Sequence, residues 1–236
     1  MKSSPEPQIR ERLLKAAHDL VAEKGLAGFK VVDVAARARA NVAMINYHFG
    51  SRDLLLDEVV RLAAMRVAKV RAERLVKLVS GAPGGQPSLE AVLRCWLEPF
   101  FESVGRVDNH ALMMLMVHTL FAADVDEARK AHLFDESSVV NARFLDVLEA
   151  CLPEVPRSAL AWRMGCAVGS CYVIFGQREA LGWRRLARTS GGSAKPSRRV
   201  MFEELVSFVV AGVSAPPPSR DQPLAPAKTV LRATRR

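Results

Sequence analysis

The chain has 236 residues, half of them hydrophobic, and carries a formal net charge of +9. This length is sufficient for one large domain or two smaller ones with a buried core. No apolar run reaches the roughly 20 residues needed to cross a bilayer, and the N-terminus lacks the apolar stretch of a secretory signal. We therefore expect a cytoplasmic protein that does not interact with membranes.

The charge is distributed unevenly along the chain. Residues 61–79 contain six Lys/Arg against one Asp/Glu, and residues 183–236 contain eleven against three, whereas residues 80–182 contain eight against thirteen. Basic segments can face phosphate, but they can equally form a solvated helix face or a disordered tail. Charge alone therefore leaves nucleic-acid binding as one interpretation among three.

The cysteines and histidines form no pattern typical of a metal site. The four cysteines lie within apolar helical patterns and include no CxxC pair, which favours small core residues in a reducing compartment over a redox switch. The histidines lack an i, i+4 pair accompanied by a third ligand. We predict neither a metal nor another cofactor.

Helical periodicity of the apolar residues extends along nearly the whole chain, and no segment alternates convincingly as a strand. Asn41 and Ser51 are suitable caps for the third and fourth helices, because their side-chain oxygens can accept an unpaired backbone N–H. Gly25 and Gly50 follow helices in positions where a helix stops. The predicted helices cover about residues 9–24, 31–38, 42–49, 52–79, 89–105, 109–122, 126–151, 157–182 and 198–212.

The first three of these helices have the pattern of a helix-turn-helix. Two short helices follow a longer one and are joined by a tight turn, with Ala35 as the small residue where they cross. Ile45 and Phe49 supply the apolar inner face of the second short helix. An ordinary helical hairpin inside a helical core is the alternative interpretation. In a helix-turn-helix, the outer face of the second short helix would be free to enter a major groove of DNA. It carries Val42, Ala43, Met44, Asn46 and Tyr47.

Three segments between Ile9 and Leu56 carry a recognisable pattern, namely residues 22–25, 33–35 and, most specifically, 46–55, which reads Asn-Tyr-His-Phe-Gly-Ser-Arg-Asp-Leu-Leu. In these segments the chain resembles the DNA-binding domain of TetR/AcrR-type repressors. The resemblance implies an all-α fold, with an N-terminal three-helix helix-turn-helix domain and a C-terminal helical domain for ligand binding and dimerisation. We expect a flexible N-terminus, these two domains and a disordered tail over residues 1–8, 9–56, 57–213 and 214–236, respectively.

The resemblance also implies which residues contact DNA. Tyr47 and His48 match positions that bond backbone phosphates, and Arg52 matches the cationic position at the start of the next helix. A packed histidine is the alternative for His48, and a solvated turn is the alternative for Arg37. Few polar groups face the bases, so we expect apolar contact with thymine methyls, aided by Asn46. The predicted DNA-binding set is Lys30, Arg37, Asn41, Val42, Ala43, Met44, Asn46, Tyr47, His48 and Arg52.

Two places depart from the family pattern. Arg39 occupies the turn where the family usually has Gly, which leaves the conformation of that turn open. Phe29 and Lys30 stand where the family usually caps the second helix with Thr or Ser. Lys30 offers a phosphate contact in place of a cap.

The resemblance places an effector cavity among the apolar residues of the C-terminal helices. Most of these residues form ordinary core, but Met-rich surfaces adapt to varied partners. We expect an apolar or amphipathic effector, although the acidic middle of the chain leaves a cationic one open. The predicted lining is Trp96, Phe100, Met113, Met116, Phe121, Phe144 and Met164.

Small residues in the helix at 157–182 permit close approach of a neighbouring helix. The resemblance implies a homodimer in which the last two helices of each subunit form a four-helix interface. Tight packing within one subunit is the alternative for the glycines. The predicted interface residues are Gly165, Gly169, Tyr172 and Phe208.

Together these features predict a ligand-responsive transcriptional repressor and not an enzyme. Its partners are a pseudo-palindromic double-stranded DNA operator and a small hydrophobic or amphipathic effector that releases the operator. One alternative is a DNA-binding regulator without a small-molecule ligand. Another is an enzyme with a helical apolar pocket, which is disfavoured because no catalytic motif accompanies the pocket.

Overall fold

The computed structural model describes the backbone of residues 5–105, 107–121, 125–176 and 197–216. These residues form nine α-helices and a 3₁₀ turn at Pro83–Gly85, and they contain no strand. The predicted all-α class is confirmed. No described helix is long and apolar enough to cross a membrane. The helices are α1 Pro5–Lys24, α2 Val31–Ala38, α3 Val42–Phe49, α4 Arg52–Gly81, α5 Leu89–Gly105, α6 Val107–Phe121, α7 Glu127–Cys151, α8 Arg157–Gly176 and α9 Arg198–Ser214.

The helix boundaries fall within about two residues of the predicted ones, apart from the start of α1. That helix begins at Pro5, because proline suits the first turn, where its missing N–H has no intrahelical partner. Residues 5–8 are therefore helical, where a flexible N-terminus was expected. Two predicted features lie outside the described residues, namely the end of the predicted helix at 177–182 and residues 217–236 of the predicted tail.

Short polar side chains fix the beginnings of α3 and α4. The Oδ1 of Asn41 accepts a hydrogen bond from the Ala43 N–H at 3.0 Å, and the Oγ of Ser51 accepts one from the Leu54 N–H at 3.1 Å. Both predicted caps are confirmed, and caps of this kind contribute about 1 kcal/mol each. Gly50 separates the two helices with a φ of 82°, a conformation that other residues rarely adopt.

A first hydrophobic core, called here the N-terminal core, lies between α1, α2, α3 and the beginning of α4. Leu112 and Leu115 of α6 are also buried in it. The C-terminal helices therefore complete the core beneath the helix-turn-helix. Its most deeply buried large side chains are Leu13, Leu20, Ile45 and Leu55.

A second hydrophobic core, the C-terminal core, is enclosed by the later part of α4 and by helices α5 to α9. Helix α4 has 30 residues, which corresponds to a length of about 45 Å. Val59 and Val60 lie in the N-terminal core, whereas Val67 and Leu75 lie in the C-terminal core. A single rigid helix thus connects the helix-turn-helix to the centre of the C-terminal helices.

Candidate nucleic-acid interface

Helix α3 presents a narrow exposed face. Ala43, Asn46 and Tyr47 are exposed, and the Tyr47 side chain has 68 % of its surface accessible. Val42 and Met44 were predicted on the same face, but both are half-buried and pack against the N-terminal core. Three of the five predicted outward residues are therefore exposed on this face, and two support the helix from its flanks.

His48 lies between the exposed face and the core. Its ring meets the Tyr47 ring edge-on, with the centroids 5.0 Å apart. Its Nε2 atom is buried and has no hydrogen-bond partner among the described residues. This geometry favours the packed histidine over a direct phosphate contact through Nε2.

The turn between α2 and α3 is built on Arg39. This residue has φ 51° and ψ 50°, the left-handed conformation that glycine adopts most readily. Its N–H donates to the Ala36 carbonyl, and the Ala40 N–H donates to the Ala35 carbonyl. The turn therefore keeps a geometry suited to glycine, although a side chain is present there.

Substitution of Arg39 should reveal the strain in this turn. Arg39→Gly is expected to raise the free energy of unfolding by about 0.5–1 kcal/mol, because relief of the left-handed strain exceeds the added chain entropy. Arg39→Val is expected to lower it by about 1–2 kcal/mol, because a β-branched residue tolerates positive φ poorly. Urea denaturation of both variants measures the difference. Equal midpoints would show that the turn is unstrained.

Arg52 is held beside the loop that precedes α2. It is the first residue of α4, its Nη1 donates to Asp53 at 3.2 Å, and its Cζ lies 5.5 Å from the centroid of the buried Phe29 ring. Lys30 follows in that loop, is exposed and provides no side-chain cap for α2. Lys30 and Arg52 therefore lie at the N-termini of α2 and α4, respectively, and a cation at a helix N-terminus suits phosphate groups.

Arg37, by contrast, is engaged within the protein. Its Nη1 and Nη2 donate to the two carboxylate oxygens of Glu23 at 2.6 and 2.7 Å. This hydrogen bonding lowers the pKa of the Glu23 carboxyl below its ordinary value. A second pair, from Lys24 to Asp33, joins the same two helices at 2.8 Å. Both pairs fix α2 against α1. The arrangement therefore favours a role for Arg37 in holding α2 in position over a contact with DNA.

Most of the basic residues at 61–79 also have protein partners. Arg61 bonds Glu58, Arg66 bonds His18, and Arg74 bonds Glu98 and Glu102. Lys69 and Lys77 are exposed. Arg66 and Arg74 therefore attach α4 to α1 and α5, whereas Arg61 pairs within α4.

The predicted effector-lining residues come together in the C-terminal core. Trp96, Phe100, Met113, Phe144 and Met164 are all buried in it, and Met116 packs partly against both cores. The Phe121 side chain lies outside the described residues. A separate open cleft of about 330 Å³ lies between α4 and α7, lined by residues that include Arg61, Met65 and His132.

Two polar residues at the C-terminal core, Arg71 and Asn141, were not predicted from the sequence. The Nε of Arg71 donates to the Trp96 carbonyl at 2.8 Å, and the Trp96 Nε1 donates to the Oδ1 of Asn141 at 3.0 Å. Arg71 follows Val67 and precedes Leu75 at helical spacing. Its position within an apolar stripe of α4 could have indicated from the sequence that this arginine faces inward.

An apolar surface is exposed on α8 and α9. Trp162 has 78 % and Phe208 65 % of their surfaces accessible, and Val200 has 48 %. A Cβ placed on Gly165 or Gly169 meets no atom within 4 Å in the described part of the chain. Packing against the described residues therefore does not require these glycines to be small. The Tyr172 side chain is outside the described residues.

Comparison with known families agrees with this architecture. The model of bacterial regulatory proteins of the tetR family matches residues 13–59, and the model of the tetracyclin repressor-like C-terminal domain matches residues 94–212. The second match alone covers just over half of the chain. This chain belongs to the TetR family. Its members are transcriptional regulators and not enzymes.

Individual relatives of this TetR-family chain match it over a stretch of 53 residues. An HTH-type transcriptional repressor of Mycobacterium tuberculosis is 38 % identical over 53 residues, which are 22 % of this chain and 28 % of the relative. An HTH-type transcriptional regulator of Mycobacterium bovis matches equally. The match spans little more than a quarter of these curated relatives.

Solved structures share the fold over nearly the whole length. A protein of unknown function from Rhodococcus sp. RHA1 has a TM-score of 0.58 at 17 % identity, covering 88 % of this chain and 96 % of that one. A structure described as a TetR-family regulator from Mesorhizobium loti has a TM-score of 0.52 at 16 % identity, covering 90 % and 98 %. At this identity the likeness shows the common fold.

Proposed function

We propose that this TetR-family protein is a ligand-responsive repressor that binds a pseudo-palindromic DNA operator as a homodimer. The observation that carries the proposal is the exposed face of α3, presented by a capped helix-turn-helix with Arg52 fixed at its edge. Ala43, Asn46 and Tyr47 face the major groove. Arg52 and Lys30 neutralise phosphates on either side of it, aided by the N-termini of α4 and α2.

Removal of the Arg52 guanidinium tests this interface. Arg52→Ala is expected to weaken binding about fivefold for operator and random duplex alike, because a phosphate contact carries no base information. Because the proposed homodimer carries two copies of Arg52, the slope of log affinity against log salt should fall by about two. Fluorescence anisotropy over a salt series measures both quantities.

Arg157→Ala is the matched control for this experiment. It removes the same charge from an exposed arginine at the start of α8, where Arg157 pairs with Asp146 and Glu149. Its affinity and salt slope should equal those of the wild type. If the two variants behave alike, net charge alone acts and Arg52 is not in the interface.

The dimer of the proposal uses the apolar surface of α8 and α9. Trp162 and Phe208 are among the large hydrophobic residues that the described part of the protein leaves exposed. The open space at Gly165 and Gly169 allows a partner helix to approach closely. A twofold interface would use the same surface of both subunits, and it would set the two α3 helices at a fixed separation.

The proposed switch acts through α4. Arg129 at the start of α7 donates to both carboxylate oxygens of Asp57 at 2.7 and 2.8 Å, which ties α7 to the end of α4 nearest the helix-turn-helix. An effector in the C-terminal core that favours another tilt of α4 would alter the spacing of the two α3 helices. Half-sites lie about 34–36 Å apart, so a small error removes one helix from its groove.

Thermodynamic reciprocity provides the test of the switch. An effector lowers DNA affinity only by binding the DNA-free conformation more tightly, and DNA must then weaken effector binding by the same factor. Calorimetric titration of the effector with and without operator measures that factor. If the protein is a regulator without an effector, small molecules that bind the C-terminal core will leave its DNA affinity unchanged.

A further inference from the structure

Arg71 places a positive charge at the border of the C-terminal core. Its Cζ lies 4.5 Å from the centroid of the Trp96 ring, and its Nε donates to the Trp96 carbonyl. The side chain is half-buried, on the same face of α4 as Val67 and Leu75. Both contacts hold the plane of the guanidinium against α5.

No carboxylate compensates this charge in the described part of the chain. Arg74, one turn further along α4, pairs with Glu98 and Glu102, and Arg94 pairs with Glu90 and Glu203. Arg71 has no ion pair among the described residues. Burial lowers its pKa to about 10, so the group still carries its charge at neutral pH.

The ionisable groups that act on the Arg71 charge are the thiols of Cys171 and Cys95. Burial raises the pKa of Cys95 to about 11 and that of Cys171 to about 12. Both thiols are therefore neutral at physiological pH and cannot serve as counter-ions. A half-buried cation without a counter-ion lowers the stability of the free protein, unless a ligand supplies the missing charge.

The free edge of the guanidinium suits a planar anion. Nε is occupied by the Trp96 carbonyl, whereas Nη1 and Nη2 have no hydrogen-bond partner among the described residues. Among the described residues, only the Nε2 of His48 is both fully buried and without a hydrogen-bond partner. Nη1 and Nη2 of Arg71 therefore retain solvent-accessible surface. Two parallel N–H groups on that edge match the two oxygens of a carboxylate.

We infer that the effector is an acidic amphiphile whose carboxylate pairs with Nη1 and Nη2 of Arg71 and whose apolar part lies against the C-terminal core. This inference rests on the effector cavity of the proposed function. Met113 and Met164, both in the same core, offer adaptable contacts for the apolar part. A cationic effector is disfavoured, because the acidic side chains nearest to this region, Glu98 and Glu102, are already paired at the surface with Arg74.

The position of Arg71 also connects the anion to the switch. Arg71 lies 19 residues after Arg52 on the same helix, a distance of about 28 Å along its axis. An anion that pairs with Arg71 therefore acts directly on the helix that carries the end of the proposed DNA interface.

Three ligands with the same alkyl chain test the inference, namely decanoate, decan-1-ol and decan-1-amine. Calorimetric titration of the full-length wild type should show decanoate binding roughly tenfold to a hundredfold more tightly than the alcohol, and the amine most weakly. In Arg71→Met, which keeps an unbranched side chain without charge, decanoate and decan-1-ol should bind equally. Arg71→Lys keeps a charge without the paired N–H edge, so it should retain only part of the preference.

Arg74→Met is the matched control, because it removes an arginine three residues away that pairs at the surface. It should keep the full preference for decanoate. Equal binding of all three ligands to the wild type, or a preference that persists in Arg71→Met, overturns the role of Arg71 while leaving the effector cavity in place. Failure of all three to bind overturns this inference together with the cavity. Should Arg71→Met not fold, a full preference in Arg71→Lys overturns the paired contact.

Discussion

The Phe208→Glu variant is expected to be monomeric at micromolar concentration, where the wild type is expected to be a dimer. Phe208 is 65 % exposed on α9, and a twofold interface contains it twice. Loss of each buried ring removes about 2 kcal/mol, and each new carboxylate must also be desolvated. The two copies together should raise the dissociation constant by a factor of at least about 1,000. Light scattering after size-exclusion chromatography measures the mass.

Val139→Glu is the control for this change. Val139 is 54 % exposed on α7, outside the surface formed by α8 and α9, so the variant adds the same charge elsewhere. It should remain dimeric. If Phe208→Glu keeps the wild-type mass, the apolar surface of α8 and α9 is not the interface. A monomeric Val139→Glu would move the interface to α7.

The Trp96→Ala variant should lose about 4 kcal/mol of stability. Trp96 is only 2 % exposed, so its truncation leaves a large cavity in the C-terminal core. The change also removes the N–H that bonds Asn141 and the ring beneath Arg71. For a chain of this size, such a loss corresponds to a fall in melting temperature of about 8–16 °C. Calorimetry at one fixed protein concentration avoids a shift from dimer dissociation.

Trp96→Phe separates the contribution of the buried aromatic ring from that of the hydrogen bond to Asn141. It keeps an aromatic ring under Arg71 but leaves the Asn141 oxygen without its donor. A cost of about 1–2 kcal/mol is expected. If Trp96→Phe is as destabilising as Trp96→Ala, the hydrogen bond to Asn141 dominates and cavity formation contributes little.

The helices could be predicted closely because their determinants are local. Asn41 and Ser51 act on N–H groups two or three residues away, and the apolar spacing of α4 is contained in its own residues. The start of α1 was placed four residues late, since the segment before Ile9 has little apolar periodicity. Pro5 and the serines before it provided a local indication of a helix start there.

The candidate interface was harder to predict, because it depends on contacts between distant segments. The predicted outward face of α3 includes Val42 and Met44, yet the way α3 lies on the N-terminal core half-buries both. Arg37 is separated by 14 residues from Glu23, the partner that occupies its guanidinium. The number of basic residues in α4 likewise gave no indication that Arg71, unlike Arg74, has no carboxylate partner in the described part of the chain. Pairings of this kind require the packed structure.

The burial of Leu112 and Leu115 in the N-terminal core limits how freely the two parts of this protein can be exchanged. A fragment that ends with α4 would expose the apolar surface that these leucines cover. A chimaera that joins this helix-turn-helix to the C-terminal helices of another regulator would need a matching turn of α6. The same constraint applies in evolution. New operator specificity is more readily acquired by changing exposed residues of α3 than by replacing the whole N-terminal domain.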